Sequence, residues 1–173
     1  MPPDPITINF DSLQSAVKKL HLPEEKINEI LQLTAAKTAR WAYSRLSSKL
    51  GKELKLDLKI RKGRLRLYVE KGSDGAQVWF GMDGISFSKF HPVQTSSGVH
   101  TDVLDIGGAF VGTGKGLGAG AVFKRQGTSR LPIAKQFYDI QNVARPIFDQ
   151  AVSEVVAQLG KNFERAYMQA LTK

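Results

Sequence analysis

The C-terminal stretch places the tightest constraint on how this chain can fold. Ile140, Val143, Ala144, Ile147, Phe148, Ala151, Val152, Val155, Leu159, Phe163, Tyr167, Ala170 and Leu171 recur at three- and four-residue steps, so they line one face of a helix. Pro146 suits a first turn, where no N–H is required, and suits an interior badly. The regular helix is therefore predicted to start near Ala144 to Pro146 and to end at about Leu171. Its stripe, centred on Phe148, Val152, Val155, Leu159 and Phe163, is read as core, with the opposite face free for neighbours.

The N-terminal half supplies a second helix and then a change of period. Residues 1–10, with Pro2, Pro3 and Pro5, read as an extended arm leading into Ile6 to Phe10. Asp11 or Ser12 could cap a short helix that ends before Leu22-Pro23. Pro23-Glu24-Glu25 then opens a longer helix, with proline in the first turn and acids at the positive dipole end. Ile27, Ile30, Leu31, Ala35, Ala39, Ala42, Leu46 and Leu50 keep helical spacing, and Gly51 is the expected stop. From Leu54 the pattern alternates: Leu56, Leu58 and Ile60 with charged neighbours, then Leu65, Leu67 and Val69. That predicts a hairpin turning at Lys62-Gly63, followed by a third strand through Ala76–Met82. Ile85-Ser86-Phe87 and Val99 to Leu104 are predicted strands around a polar connector.

Half of the 16 glycines fall between Gly107 and Gly127, with Gly112, Gly114, Gly116, Gly118 and Gly120 in strict alternation. Strand-like residues flank the alternation: Ala109, Phe110 and Val111 before, and Ala121, Val122, Phe123, Lys124 and Arg125 after. The expectation is a long glycine-rich hairpin loop. The whole chain of 173 residues then reads as one α+β domain: N-terminal helices, a mostly antiparallel sheet and a long C-terminal helix.

Several chemistries lack their residues. Cysteine is absent, which removes disulfides, thiolate nucleophiles and cysteine-ligated metal sites. A Walker loop needs a glycine separated by four residues from Gly114-Lys115 and a hydroxyl after it, but Ala109 and Gly116 stand there. A dinucleotide fingerprint at Gly114, Gly116 and Ala119 would have to open a helix, whereas a strand pattern follows. His21, His91 and His100 lack the spacing of a zinc pair and read as polar surface residues. No G-x-S-x-G elbow occurs, and Glu24-Glu25 is explained by the helix dipole. The expectation is a non-enzymatic protein with no cofactor and no metal. The first residues lack a signal-peptide pattern and no run of ~18 apolar residues occurs, so a soluble intracellular protein without a membrane span is expected.

Charge is the remaining signal. Lysine and arginine number 25 against 16 acids, a net charge of +9 that suits an anionic partner. Lys52, Lys55, Lys59, Arg61, Lys62, Arg64, Arg66 and Lys71 crowd one segment with only Glu53, Asp57 and Glu70 to offset them. Strand alternation would put Lys59 and Arg61 on one hairpin face, with Arg64 and Arg66 on a matching one. Such residues could contact phosphates, or form a solvated face that discourages edge pairing. A sequence-independent nucleic-acid-binding protein using segment 52–71 stays open as an alternative.

Several ordered pieces resemble the phage minor tail protein Z family of tail-completion proteins. Trp79-Phe80-Gly81, then Ile85 to Phe90, are similar to its strand and "I-x-L-x-x-F" stretch. Gln94-Thr95 with Gly98-Val99 resembles its "QT-x-x-GV" connector. Gly108-Ala109-Phe110-Val111 is similar to its "GAF" strand, Val122-Phe123-Lys124-Arg125 to its "VF-x-R" strand, and Leu131-Pro132-Ile133 to its "LPI" turn. The alanine-rich Thr34 to Ala39 is similar as well. The resemblance covers about residues 24–160, with its specific motifs within 78–133, and the Gly112–Gly120 alternation is longer than the family's loop. It implies a structural virion protein forming a sixfold ring in the neck or upper tail, assembled in the host cytoplasm. Its implied partners are copies of itself, neighbouring neck, tail-terminator or tail-tube proteins, and packaged DNA. On that reading Gly108, Ala109, Phe110, Gly112, Gly114, Lys115, Gly116, Gly118, Gly120, Phe123 and Arg125 form an assembly surface, while Lys59, Arg61, Arg64 and Arg66 line a DNA channel. Which ring it occupies, whether terminator, stopper or adaptor, is left open.

Overall fold

Pro23 starts the first long helix. Its carbonyl accepts from Ile27 N at 3.1 Å, and Glu24 and Glu25 occupy the first turn of α1 (Glu24–Glu53). The computed structural model of the chain describes residues 6–8, 13, 17, 22–69, 75–113 and 120–172. The proline arm, most of the short helix expected after Asp11, and Gly72 to Asp74 lie outside the described residues. The chain divides into two compact units, Met1–Gly81 with Ala144–Lys173, and Met82–Val143. The architecture is α+β.

In the first unit the alternating region departs from the hairpin expected from sequence. Residues 58–64 form a short helix, α2 (Leu58–Arg64), and only then does the chain extend as β2 (Leu65–Val69). Leu54 and Leu56 are buried where α1 ends, but Leu58 is 52% exposed, so the leucine alternation does not mark one sheet face. Arg61 holds the helix against its predecessor. Its Nε donates to Leu56 O at 3.0 Å, and its Nη1 donates to Ser47 O at 2.7 Å and to Ser47 Oγ at 3.2 Å. Gly51, the expected stop, is instead a seat: a Cβ there would lie 2.7 Å from the Arg61 guanidinium carbon. The left-handed residue that turns the chain is Lys55, at φ 49°.

β3 (Ala76–Phe80) is the centre of a three-stranded antiparallel sheet. It pairs with β2 from Leu65↔Phe80 to Val69↔Ala76, and with β1 (Ile6–Ile8) from Ile6↔Val78 to Ile8↔Ala76. Ile6, Ile8, Leu65, Ala76, Val78 and Phe80 are buried on one face, and α1 packs against the sheet.

The long C-terminal helix, α3 (Gln141–Leu171), starts earlier than Pro146 suggests. Asp139 Oδ1 accepts from Gln141 N at 3.0 Å, which gives the helix a start one turn sooner. Pro146 then sits in the second turn, where its missing N–H leaves only the Asn142 carbonyl without its helical donor. From Ala144 onward the helix runs antiparallel to α1: Thr38 meets Asn162, while Arg45 and Lys49, further along α1, meet Glu154, earlier on α3. Phe148, Val155, Leu159 and Phe163 are buried as expected, and the Phe148 ring stacks on Phe80 at 6.1 Å. Val143, Val152 and Leu171 are exposed, a correction to the stripe, because the face covered along α3 is narrower than its apolar face. Among the described residues no helix is long and apolar enough to cross a membrane.

The second unit is built from short strands. β5 (Val93–Gln94), β6 (Gly98–His100) and β7 (Asp105–Gly107) form one antiparallel sheet in that order. β8 (Ala109–Val111), β9 (Val122–Arg125) and β10 (Ile133–Lys135) form a second, with β9 central. β4 (Ile85–Ser86) pairs with β11 (Phe137–Tyr138), and the predicted strand at Phe87 is a 3₁₀ turn, Phe87–Lys89. Thr101 ends β6 early: its Oγ1 donates to Leu104 O at 2.6 Å and accepts from Leu104 N at 3.1 Å, closing a turn where a strand was expected. Phe87, Phe90 and Tyr138 form an aromatic cluster, with Phe90 edge-on to Tyr138 at 5.5 Å.

Two outcomes follow from this packing. Phe148→Ala should cost about 3–5 kcal/mol in urea denaturation, whereas Val152→Ala, at a residue 48% exposed, should cost less than about 1 kcal/mol. Hydrogen bonds from Lys49, then from Arg45, hold the Glu154 carboxyl below its ordinary value. A depressed folded-state value means the stabilisation is present above the ordinary glutamate range, about pH 4.3, and is lost as pH falls through the lowered value. The stability difference between wild type and Glu154→Gln should therefore shrink on acidification from neutral pH, as read by melting temperature across a pH series.

Candidate functional site

The glycine hairpin has a built base. β8 and β9 pair through Ala109↔Lys124, Phe110↔Phe123 and Val111↔Val122. Beyond them Gly112 N donates to Ala121 O at 2.7 Å and Gly120 N donates to Gly112 O at 3.1 Å, so the ladder continues to the edge of the loop. Gly120 takes φ 79°, a left-handed conformation in which side chains are rarely accommodated. Phe110 and Phe123 stack at 6.0 Å across the strand pair, and Val122 is fully buried. Arg125 is exposed opposite Ile133 of β10. Gly114, Lys115, Gly116 and Gly118 lie outside the described residues.

One side chain joins the two three-stranded sheets of this unit. Gln94 Oε1 accepts from Val111 N at 2.9 Å on the outer edge of β8, and its Nε2 donates to Gly98 O at 2.8 Å and to Thr95 O at 3.0 Å. A primary amide carries the same donor and acceptor types as a peptide, so Gln94 occupies the β8 edge as a strand would. Thr95 closes the adjoining turn, with Oγ1 donating to Gly98 O at 3.0 Å and accepting from Gly98 N at 3.1 Å. Gly98 must be glycine for lack of space: a Cβ would meet Ile106 O at 2.2 Å. Gly108, at φ 69°, turns the chain from β7 into β8 while its N–H donates to Ser97 O at 2.9 Å. Gln94, Thr95, Gly98, Gly108, Ala109, Phe110, Val122 and Phe123 are thus brought together around the base of one hairpin.

The basic candidates are separated. Arg61 and Arg64 are three apart on the inward side of α2; Arg61 is engaged as above, and Arg64 Nη1 donates to Gly81 O at 3.0 Å. Lys59 and Lys62, also three apart, are exposed on its outward side. Arg66 lies on the sheet, its guanidinium 6.0 Å from the Trp79 ring centroid. The shared hairpin face read from strand alternation does not form, because a helical period sorts residues 59, 61, 62 and 64 differently.

Sequence reasoning missed the aspartate partners of the histidines. His91 Nδ1 lies 2.6 Å from Asp102 Oδ2, and His100 Nδ1 lies 2.5 Å from Asp105 Oδ1, both pairs exposed. The second pair is legible only once β6 and β7 are aligned, since His100 and Asp105 are cross-strand partners. Among the described residues no three metal-ligating side chains come together. Compared with protein-family models, curated proteins and solved structures, the chain matches none.

Gln94→Ala should open the β8 edge without unpairing β8 from β9. Amide exchange should accelerate at Val111 N–H, while the cross-strand bonds of Phe110 and Phe123 keep their protection. Equal acceleration at all three would make Gln94 a general stability residue rather than an edge partner.

Proposed function

We propose that this chain is a structural subunit of a tailed phage, forming a ring in the neck or upper tail that completes the tail and joins it to the head. One observation carries the reading. Four of the pieces that resemble the tail-completion family, Gln94-Thr95, Gly98-Val99, Gly108 to Val111 and Val122 to Arg125, build and brace the base of the glycine hairpin. Pieces scattered over some thirty positions of sequence thereby acquire one common task, to build the paired base of that hairpin.

A ring requires each subunit to present two different patches to its neighbours. Glycine at alternate positions from Gly112 to Gly120 leaves backbone donors and acceptors without side chains to keep a neighbouring chain away. The hairpin is the assembly element in this proposal. The subunits in contact are copies of this chain together with neck or tail-tube proteins, and sixfold symmetry is what the resemblance implies.

Shortening Gly112–Gly120 to a two-residue turn should leave the melting transition of the isolated chain within a few degrees of wild type. It should abolish incorporation into particles when co-produced with its neighbouring head and tail proteins, as read by electron microscopy and mass spectrometry of purified particles. Normal incorporation of the shortened chain would remove the hairpin from assembly, and absence of the wild-type chain from particles would overturn the virion reading itself.

A further inference from the structure

The first unit's sheet has one face on the helices and another open to solvent. The open face is set by the register of its strands. Arg66 stands opposite Trp79, Tyr68 opposite Gln77, and Thr7 opposite Gln77 on the other side. Each is exposed or half-buried, with Tyr68 47% exposed, while their in-strand neighbours Leu65, Ala76, Val78 and Phe80 are buried. Two aromatic rings, one guanidinium, one amide and one hydroxyl therefore share a surface. Tyr68 and Trp79 are diagonal cross-strand neighbours, a spacing of about 7–8 Å.

Two further features prepare this face for a ligand. The Trp79 ring lies over Gly81, where a Cβ would come within 2.9 Å of the indole, so the missing side chain lets the ring lie against the backbone. Exposed cations also lead into the strand that carries Arg66. α2 runs directly into β2, and its outward Lys59 and Lys62 precede Arg66 with no intervening loop. Among the described residues no carboxylate pairs with Lys59, Lys62 or Arg66.

We propose that this face binds single-stranded nucleic acid without sequence preference, with bases stacking on Tyr68 and Trp79 and phosphates held by Lys59, Lys62 and Arg66. Charge complementarity selects a polyanion, and the rings select its form. Stacking needs bases that are free of a duplex, because paired bases have no ring face to offer. Arg66 over Trp79 adds a cation that can serve a phosphate beside the stacked base. Gln77 and Thr7 can bond to any base edge, and they impose no single pattern. The inference does not depend on the ring reading, since it concerns a surface of the isolated subunit.

The test is fluorescence anisotropy of the full chain with a labelled oligothymidine of about 12 nucleotides, against a duplex of equal length. The single strand should bind more tightly than the duplex and should quench tryptophan emission. Tyr68→Ala and Trp79→Ala should each weaken it by about fivefold to a hundredfold. Trp79→Phe keeps a ring, so it should retain most of the affinity and lose the quench, which guards against a misfolded alanine variant. Lys59→Gln with Lys62→Gln should lower the slope of log affinity against log salt by about 1.4. Equal or tighter binding of duplex with Tyr68→Ala and Trp79→Ala unaffected would overturn the proposal in favour of a duplex-phosphate face. Failure to bind either probe would overturn it outright.

Discussion

The first unit depends on the buried hydrogen bond between Asn162 and Thr38. Asn162 is nearly inaccessible; its Nδ2 donates to Thr38 Oγ1 at 3.0 Å and its Oδ1 accepts from Gln158 Nε2 at 3.1 Å. Thr38 in turn donates to Thr34 O, and Thr34 to Ile30 O. Apolar contacts between two helices of about 45 Å each would tolerate sliding by a turn. A buried amide would not, because a slip that set Asn162 against Ala42 would leave its donor unmet, at about 1–3 kcal/mol. That one register places Glu154 between Arg45 and Lys49, and Phe148 against Phe80 of the sheet.

Arginine plays two structural parts that net charge conceals. Arg61 spans fourteen positions to reach Ser47, and Arg64 closes the end of the β2–β3 pair at Gly81, whose N–H donates to Arg64 O. Guanidinium suits this work because it offers several donors in a fixed plane and stays charged. Lysine has no such fork, and the lysines of the same helix turn outward. A basic segment is thus divided by chemistry into cations that hold the fold and cations that face solvent.

The second unit stabilises strands of only two to four residues. Its recurrent device is a side chain that supplies what a neighbouring strand would. Gln94 meets the β8 edge, while Thr95 and Thr101 each close a turn with paired bonds to one residue three positions on. Short polar side chains compete well for local backbone groups, which is why they favour turns over regular elements. The price is that single residues there matter more than propensity would suggest.

The sequence by itself determined the α+β class, the course of α1 and α3, the strand at β3 and the paired base of the glycine hairpin. In each of these, periodicity, prolines, acids or flanking strands act within a few residues, so the information is local. Tertiary structure decided what the local pattern left ambiguous. Leu54 to Arg64 alternates like a strand, yet the carbonyls of Ser47 and Leu56 fix Arg61 only if the segment is helical. Gly51 looked like a stop because glycine commonly ends helices, but its role is to leave room for a side chain ten residues away. Pro146 looked like a start, and the Asp139 carboxylate moved that start forward. The pairing of Arg66 with Trp79 and of Gln94 with Val111 exists only after strands distant in sequence have found their register. Periodicity reports which face a residue takes within its own element. Which residues meet across elements is set by long-range packing, and both candidate surfaces of this protein are of that second kind.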